Sequence, residues 1–300
     1  MAPSEDLPVT HHQSIYPGID PSKFRDSCKG KVVLITGASR GIGEATAYAF
    51  AECGASLFLV SRNQATIDQT VKDIESRFPC TKVGSAVADV VQHEQVGDAV
   101  KNCIEVFGKV DVVISNSGAM EVLGVKMADQ DPDVWWNIWE VNVRGSFNLA
   151  HYALPYLEKT KGYFIFIGSI GGQIRVPGSS AYQTTKHVIN RVAEFAHLEH
   201  GDAGVKIFSL HPGGVKTELS KAGGERLLSI LNDDVTLGPW TMVRLVSGSE
   251  DYLAGRYVSA AWDLDEVAEK YRERILKDDA LKNRLTLPLD QCGRDMPAIV

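Results

Sequence analysis

The sequence predicts an α/β fold, a doubly wound parallel sheet in one domain with N- and C-terminal extensions. Two observations carry this. Short apolar runs alternate with helix-length segments, and the first run ends in a glycine cluster that opens the first helix. Runs that lack the alternating polarity of a half-exposed strand read as strands buried on both faces. Parallel neighbours then need a crossover between them, normally a right-handed one through a helix. A third observation sets the scale. A chain of 300 residues, 44% apolar and 23% charged, has room for one large domain with its own core. That composition excludes a disordered, collagenous or coiled-coil chain.

Residues 1–29 are rich in Pro, Ser and Asp and show no sustained period, so they read as an N-terminal arm ahead of a domain over 30–261. Residues 31–36 form the first buried strand and 43–53 the first helix, with Ala45, Ala49 and Phe50 at helical spacing. Strand-like 56–60, 82–87 and 110–115 alternate with helical 64–78 and 92–107, and 131–157 reads as one long helix. A strand over 162–167, a helix over 180–200 and a strand over 205–210 complete six repeats in about 180 residues, as a doubly wound sheet requires. No period of 20–50 residues with internal similarity is present, so the alternation is architecture. In the last segment, 262–300, Leu264, Val267, Ala268, Tyr271 and Ile275 mark one face of a helix. After Leu285 the ending reads as irregular.

The net charge of −7 runs against a nucleic-acid binder, which would show a basic excess. The apolar runs are strand-sized, too short to span a bilayer, and the N-terminus lacks the apolar block of a signal peptide. Cys28, Cys53, Cys80, Cys103 and Cys292 form no C-x-x-C pair, and an odd count fits a reducing compartment. His11 and His12 are neighbours without a third ligand, so no metal site is indicated. The expectation is a cytoplasmic protein with a small-molecule partner.

The first chemical signal is TGASRGIG, residues 36–43, between the first strand and first helix. Gly37, Gly41 and Gly43 leave no side chains where a pyrophosphate must approach the backbone, and Ser39, Arg40 and Ile42 line the same turn. The helix start then offers free N–H groups and a positive dipole end to phosphates. The spacing, Gly-x-x-x-Gly-x-Gly, differs from the Gly-x-Gly-x-x-Gly of most dinucleotide sites. A second signal is Tyr182 and Lys186, four apart on a helix and therefore on one face. A Lys ammonium near a phenol favours the phenolate and lowers its pKa, giving a proton donor and acceptor for a carbonyl/alcohol pair. Ser169, ending the fifth strand, can hydrogen-bond a substrate oxygen on which charge develops.

With these motifs in this order, the chain resembles a short-chain dehydrogenase/reductase of the single-domain type from about Lys31 to Val258. Asp89 follows the third strand, where the family's Asp meets adenine. Asn116 and Gly118 lie in Asn-Ser-Gly after the fourth strand, where the family has Asn-Asn-Ala-Gly, with Ser115 and Ser117 as departures. Asn142 matches the family's catalytic Asn, which implies a water relay to Lys186. Lys186 would also bind the nicotinamide ribose. Ser169 precedes Tyr182 by thirteen residues, the family separation. Val215 and Thr217, in PGGVKT, resemble the nicotinamide-side loop. The stretch AGRYVSAAWDLDE is similar to fungal members, which points to specialised metabolism. The forty residues after Val258 depart from the usual ending, where oligomer contacts commonly lie, so a homo-oligomer is an open expectation.

Cofactor choice follows from charge. An acid ending the second strand selects NAD, whereas a base accommodates a 2′-phosphate. Here that strand ends Ser61-Arg62-Asn63, and Arg40 sits in the glycine loop. Two guanidiniums facing one phosphate favour NADP(H). The resulting expectation is an NADP(H)-dependent oxidoreductase for a small, hydrophobic hydroxyl or carbonyl compound. An enoyl reductase, an isomerase, or a non-catalytic cofactor-binding regulator are the alternatives. Specificity is expected from the irregular segments 120–125, 171–178 and 217–246. The last of these, with Leu227, Leu228, Ile230, Leu231, Trp240 and Met242, is expected to form an apolar lid.

Overall fold

Seven parallel strands form one sheet in the order β3-β2-β1-β4-β5-β6-β7 in the computed structural model, which describes residues 6–285. They are β1 (Val32–Thr36), β2 (Ser56–Ser61), β3 (Val83–Val87), β4 (Val112–Ser115), β5 (Tyr163–Ile167), β6 (Lys206–His211) and β7 (Arg256–Ser259). The central strands are buried along their length, as expected of apolar runs covered on both faces. Val33 of β1 stands opposite Leu57 of β2 and Val112 of β4, so the order reverses at β1. Edge strand β3, with Gly84, Ser85 and Ala86 at its centre, is half-exposed.

Two hydrophobic layers flank the sheet. One is built from α1 (Gly41–Glu52) and α2 (Gln64–Arg77), with Phe50, Ile67 and Ile74 fully buried. The other uses α3 (His93–Phe107), α5 (Gly145–Thr160) and α6 (Ser180–His200), through Cys103, Leu149, Leu157 and Ile189. The expected single helix over 131–157 is interrupted. Helix α4 (Pro132–Trp139) passes through a π turn, Glu140–Arg144, before α5 begins. The π turn holds no Gly or Pro to mark it, so nothing in the sequence signals the interruption. Helix α1 also starts two residues earlier than the pattern suggested, at Gly41.

The segment 217–246 divides into α7 (Glu218–Ala222), α8 (Glu225–Leu228) and α9 (Leu237–Leu245). The lid expectation fails for its second half. All nine residues of α9 are buried, with Trp240 at 4% and Met242 at 0% exposure, and the helix packs in the layer of α1. Gly238 leaves no room for a side chain, because a Cβ there would lie 2.6 Å from the Pro212 carbonyl oxygen. Apolar residues at helical spacing suit a lid and a core helix equally, and packing decided for the core. Leu227, Leu228 and Leu231 are half-buried or exposed, and Ile230 is exposed.

The N-terminal segment lies against the α1 layer. Tyr16, Ile19, Phe24 and Cys28 are buried there. The Tyr16 hydroxyl donates to the Trp262 carbonyl and accepts from Leu264 N–H, both at 3.1 Å. His12 stacks on the Tyr16 ring at 4.0 Å and bonds Asp263. Arg244 of α9 donates to the Gly18 carbonyl at 3.0 Å and pairs in the interior with Glu250 at 2.7 Å. Helix α10 (Leu264–Lys277) buries Leu264, Val267 and Ile275, and beyond it Asn283 N–H donates to Glu194 of α6 at 2.8 Å. Among the described residues no helix is long and apolar enough to cross a membrane. The expected irregular ending after Leu285 lies outside the described residues.

Candidate active site

The glycine turn between β1 and α1 forms a cradle. Gly37 (φ +64°) and Gly41 (φ +60°) adopt left-handed backbone that a side chain would strain. At Gly43 a Cβ would lie 2.2 Å from the Gly37 carbonyl oxygen, so only glycine lets the helix approach the turn this closely. Asn116, at the end of β4, donates from its amide to the carbonyls of Thr36 (3.0 Å) and Gly37 (3.1 Å), holding the turn across the strand reversal. The N-cap of α1, Arg40, makes no side-chain cap, so the first N–H groups of the helix face the cleft. These features fit the pyrophosphate of a dinucleotide.

The cleft above the cradle has a volume of about 320 Å³. Gly37, Ser39, Arg40, Gly41, Ile42, Arg62, Asp89, Asn116, Gly118 and Thr217 all line it, together with Ser61 and Asn63 beside Arg62, and with Thr66 and Glu218, which sequence reasoning had not named. The exposed guanidiniums of Arg40 and Arg62 thus stand at one cleft, with Ser61 donating to Ser39 at 3.0 Å between them. Asp89 Oδ1 accepts from Val91 N–H at 3.0 Å, which fixes the loop after β3. Thr217 caps α7 by accepting from Ser220 N–H. Val215 is buried and pairs with Asp233, outside the cleft lining.

A second cluster gathers around the start of α6. Ser169 leaves the end of β5, and its hydroxyl accepts from Gly171 N–H at 3.0 Å and hydrogen-bonds the Tyr182 phenol. Lys186, one turn beyond Tyr182, is 4% exposed. Its Nζ lies 5.6 Å from the Tyr182 ring centroid and donates to the Ile167 carbonyl at 2.7 Å. The π turn turns Asn142 inward. Its Oδ1 accepts from Ala119 N–H (2.8 Å), and its Nδ2 donates to the Ala119 carbonyl and to Thr185 Oγ1, both at 2.9 Å. Asn142 therefore bridges the loop after Gly118 to the helix carrying Tyr182 and Lys186.

The electrostatics differ from the sequence expectation in one respect. Burial raises the Tyr182 phenol above its ordinary value, the Ser169 hydrogen bond opposes this, and the Glu121 carboxylate adds to the rise. Lys186 is not what sets the phenol. Its own ammonium is destabilised by burial, which brings it down to about 8. The expected lowering of the phenol is therefore not seen, because burial is the largest influence on both groups. His211, ending β6, is pushed down to about 4 by burial and by the charge of Lys186.

Glu121 is the residue that sequence reasoning missed. It is buried, and its carboxylate accepts from the backbone N–H groups of Ala181 (2.9 Å) and Tyr182 (3.0 Å). The one signal available was an acid placed between Met120 and Val122, three residues after Gly118.

Residues 31–227 match the family model described as short chain dehydrogenase. The short chain dehydrogenases mpl6 of Monascus purpureus and citE of Monascus ruber are each 38% identical over 92% of this chain and 95% of their own length. The short chain dehydrogenase pigC of Monascus ruber is 30% identical over 92% of this chain and 93% of its own. Among solved structures, an NAD⁺-bound xylitol dehydrogenase superposes with a TM-score of 0.71 at 23% identity, covering 78% of this chain and 99% of that one. A 3-ketoacyl-(acyl-carrier-protein) reductase from Brucella melitensis complexed with NADH gives 0.71 at 23%, covering 77% and 96%. At that identity the likeness is one of fold. The chain belongs to the short-chain dehydrogenase family. It is an oxidoreductase of that family, similar to fungal members.

Proposed function

We propose that this protein uses NADP(H) to interconvert a hydroxyl and a carbonyl on a small, hydrophobic organic compound, with Tyr182 as the proton carrier. The observation that carries the reading is the meeting of Ser169, Tyr182 and Lys186 beside a glycine-cradled cleft, tied to it through Asn142 and Ala119. The nicotinamide, when bound, supplies or takes the hydride. Ser169 donates a hydrogen bond to the substrate oxygen and stabilises charge developing there. Tyr182 gives its proton to that oxygen as a carbonyl is reduced, and takes it back in the reverse direction. A raised phenol value keeps the proton on Tyr182 until the oxygen is basic enough to accept it. Lys186, at about 8, is poised to carry protons near neutral pH and to stabilise the tyrosinate left behind. Asn142 and Thr185 hold the polar path next to it. The fungal relatives favour a place in specialised metabolism.

The test is single-turnover oxidation of NADPH against a panel of carbonyl compounds, followed by nicotinamide absorbance. Tyr182→Phe is expected to slow hydride transfer by roughly 10²–10⁴-fold, the range for general acid–base catalysis, with NADPH affinity unchanged because the ring still packs. Unchanged transfer in that variant would remove Tyr182 from the role.

A further inference from the structure

Helix α6 begins without a cap of its own. Its N-cap residue, Ser179, makes no side-chain hydrogen bond to the helix, and its first turn holds no acidic residue. The first N–H groups of a helix otherwise lack partners. They are met from sixty residues away. Glu121, in the loop after β4 and 6% exposed, accepts through Oε1 from Ala181 N–H at 2.9 Å and from Tyr182 N–H at 3.1 Å. Its Oε2 accepts from Tyr182 N–H at 3.0 Å.

We propose that Glu121 is a positioning residue for the hydroxyl–carbonyl chemistry, clamping Tyr182 through its backbone N–H and placing a negative charge near the phenol. This rests on the reading of Tyr182 as proton carrier. Tyr182 sits in the first turn of α6, where a helix frays, and both carboxylate oxygens hold its peptide there. The same loop supplies Ala119, whose backbone N–H and carbonyl are both bonded by Asn142. One short segment after Gly118 therefore sets the register of Tyr182, of Asn142 and of the cleft wall together.

The charge has a second consequence. A carboxylate near a desolvated phenol disfavours the phenolate, and Glu121 acts on Tyr182 in that direction. The other ionisable groups around this helix start are Lys186 on α6, His211 at the end of β6, and the exposed Arg175 on the loop after β5. Glu140 with Arg144 on the π turn, and Glu218 with Lys221 on α7, pair with each other. Glu121 is thus the buried anion at the proton carrier, and it keeps the proton on Tyr182 until the substrate oxygen demands it.

Two near-isosteric comparisons, each removing the charge and one acceptor oxygen, test this in the full chain, Glu121 against Glu121→Gln and Glu121→Asp against Glu121→Asn. The readout is the titration of the Tyr182 phenol, followed by carbon-13 NMR of ζ-labelled tyrosine, with the resonance assigned by its loss in Tyr182→Phe. In each pair the neutral member is expected to titrate about half a unit or more lower. The pH limb of single-turnover hydride transfer should move the same way. kcat should fall in Glu121→Gln and Glu121→Asn, with KM and NADPH affinity unchanged. Equal titration within both pairs overturns the proposal, as does a loss confined to melting temperature. Failure of the Tyr182 reading would show separately, as undiminished hydride transfer in Tyr182→Phe, and would leave the titration comparison interpretable.

Discussion

If Arg40 and Arg62 select NADP(H) as proposed, replacing both with alanine should leave a protein that barely distinguishes the two nicotinamide cofactors. Both guanidiniums stand at one cleft beside Ser39, Ser61 and Asn63, and no carboxylate ends β2 to receive a 2′-hydroxyl. A charge-assisted hydrogen bond to phosphate contributes about 1.5–3 kcal/mol. Both arginines are exposed, so solvent screening argues for the low end. Arg40 is also partly engaged. Glu218, on the facing wall, has its carboxyl held below the usual range chiefly by Lys221 and to a lesser degree by Arg40, and an incoming phosphate must compete for that guanidinium. At about 1.5 kcal/mol each, the double variant should lose about 3 kcal/mol, roughly a hundredfold in NADPH affinity. NADH, lacking the phosphate, should weaken by no more than about threefold. Fluorescence titration of the reduced cofactors at two salt concentrations measures both, and the NADPH advantage should shrink as salt rises. Equal affinity of the unmodified protein for NADPH and NADH, or parallel losses in the double variant, would refute the assignment. The proposed preference rests on these two side chains, so their removal tests it directly.

Two further outcomes follow from buried charge. Burial holds Lys186 at about 8 against 10.5 for a free lysine, so between those values the unfolded chain binds more protons and stability rises with pH. Below about 8 the full penalty, about 3 kcal/mol, is present. Lys186→Met should abolish turnover and flatten that rise in denaturant midpoints taken from pH about 7 to about 11. It should also stabilise the protein at neutral pH, less about 1 kcal/mol for the Ile167 carbonyl left unpaired. A rise as steep as in the unmodified chain would show that another group produces it. Arg244→Met leaves the Glu250 carboxylate buried without its cation, and should cost about 3–5 kcal/mol. The same change frees the Gly18 carbonyl, so limited proteolysis should begin in the N-terminal segment, and Arg244→Met with Glu250→Leu should recover much of the loss. An unchanged thermal midpoint in the single variant would contradict this.

What could be read from sequence was what is local in sequence. The first six strands announced themselves as short runs between turn residues, whereas β7 opens on an arginine and did not, and the glycine turn was plain because Gly37, Gly41 and Gly43 fall within seven residues of one another. Tyr182 and Lys186 share a face because a helix brings residues four apart together. Where several structures satisfy one pattern, the reading went astray. Leu237 to Leu245 carries the composition of a lid and of a core helix, and only its fit beneath Pro212 and beside α1 separates them. Tyr16, Ile19, Phe24 and Cys28 follow no regular period, since short 3₁₀ turns and not a helix carry them into the core. The π turn at Asn142 is silent because Glu140–Arg144 holds no Gly or Pro to mark a break.

The active site shows the same division more sharply, and the sheet order explains it. Because strand order reverses between β1 and β4, the loops after those two strands part and leave the cleft between them, as at other switch points of doubly wound sheets. Asn116 spans that opening to Thr36 and Gly37, eighty residues away in sequence. The loop that continues from Asn116 then passes α6, which arrives from β5, the next strand along. Glu121 meets Tyr182 only because β4 and β5 are neighbours and both end at the same edge. No motif records such a contact, since Ser179 reads in sequence as a capping residue and only the structure shows that it makes no cap. A helix start with neither a capping side chain nor an acid in its first turn, opening on a residue of chemical interest, implies a partner from elsewhere. In a parallel sheet the elsewhere is the loop after the adjacent strand.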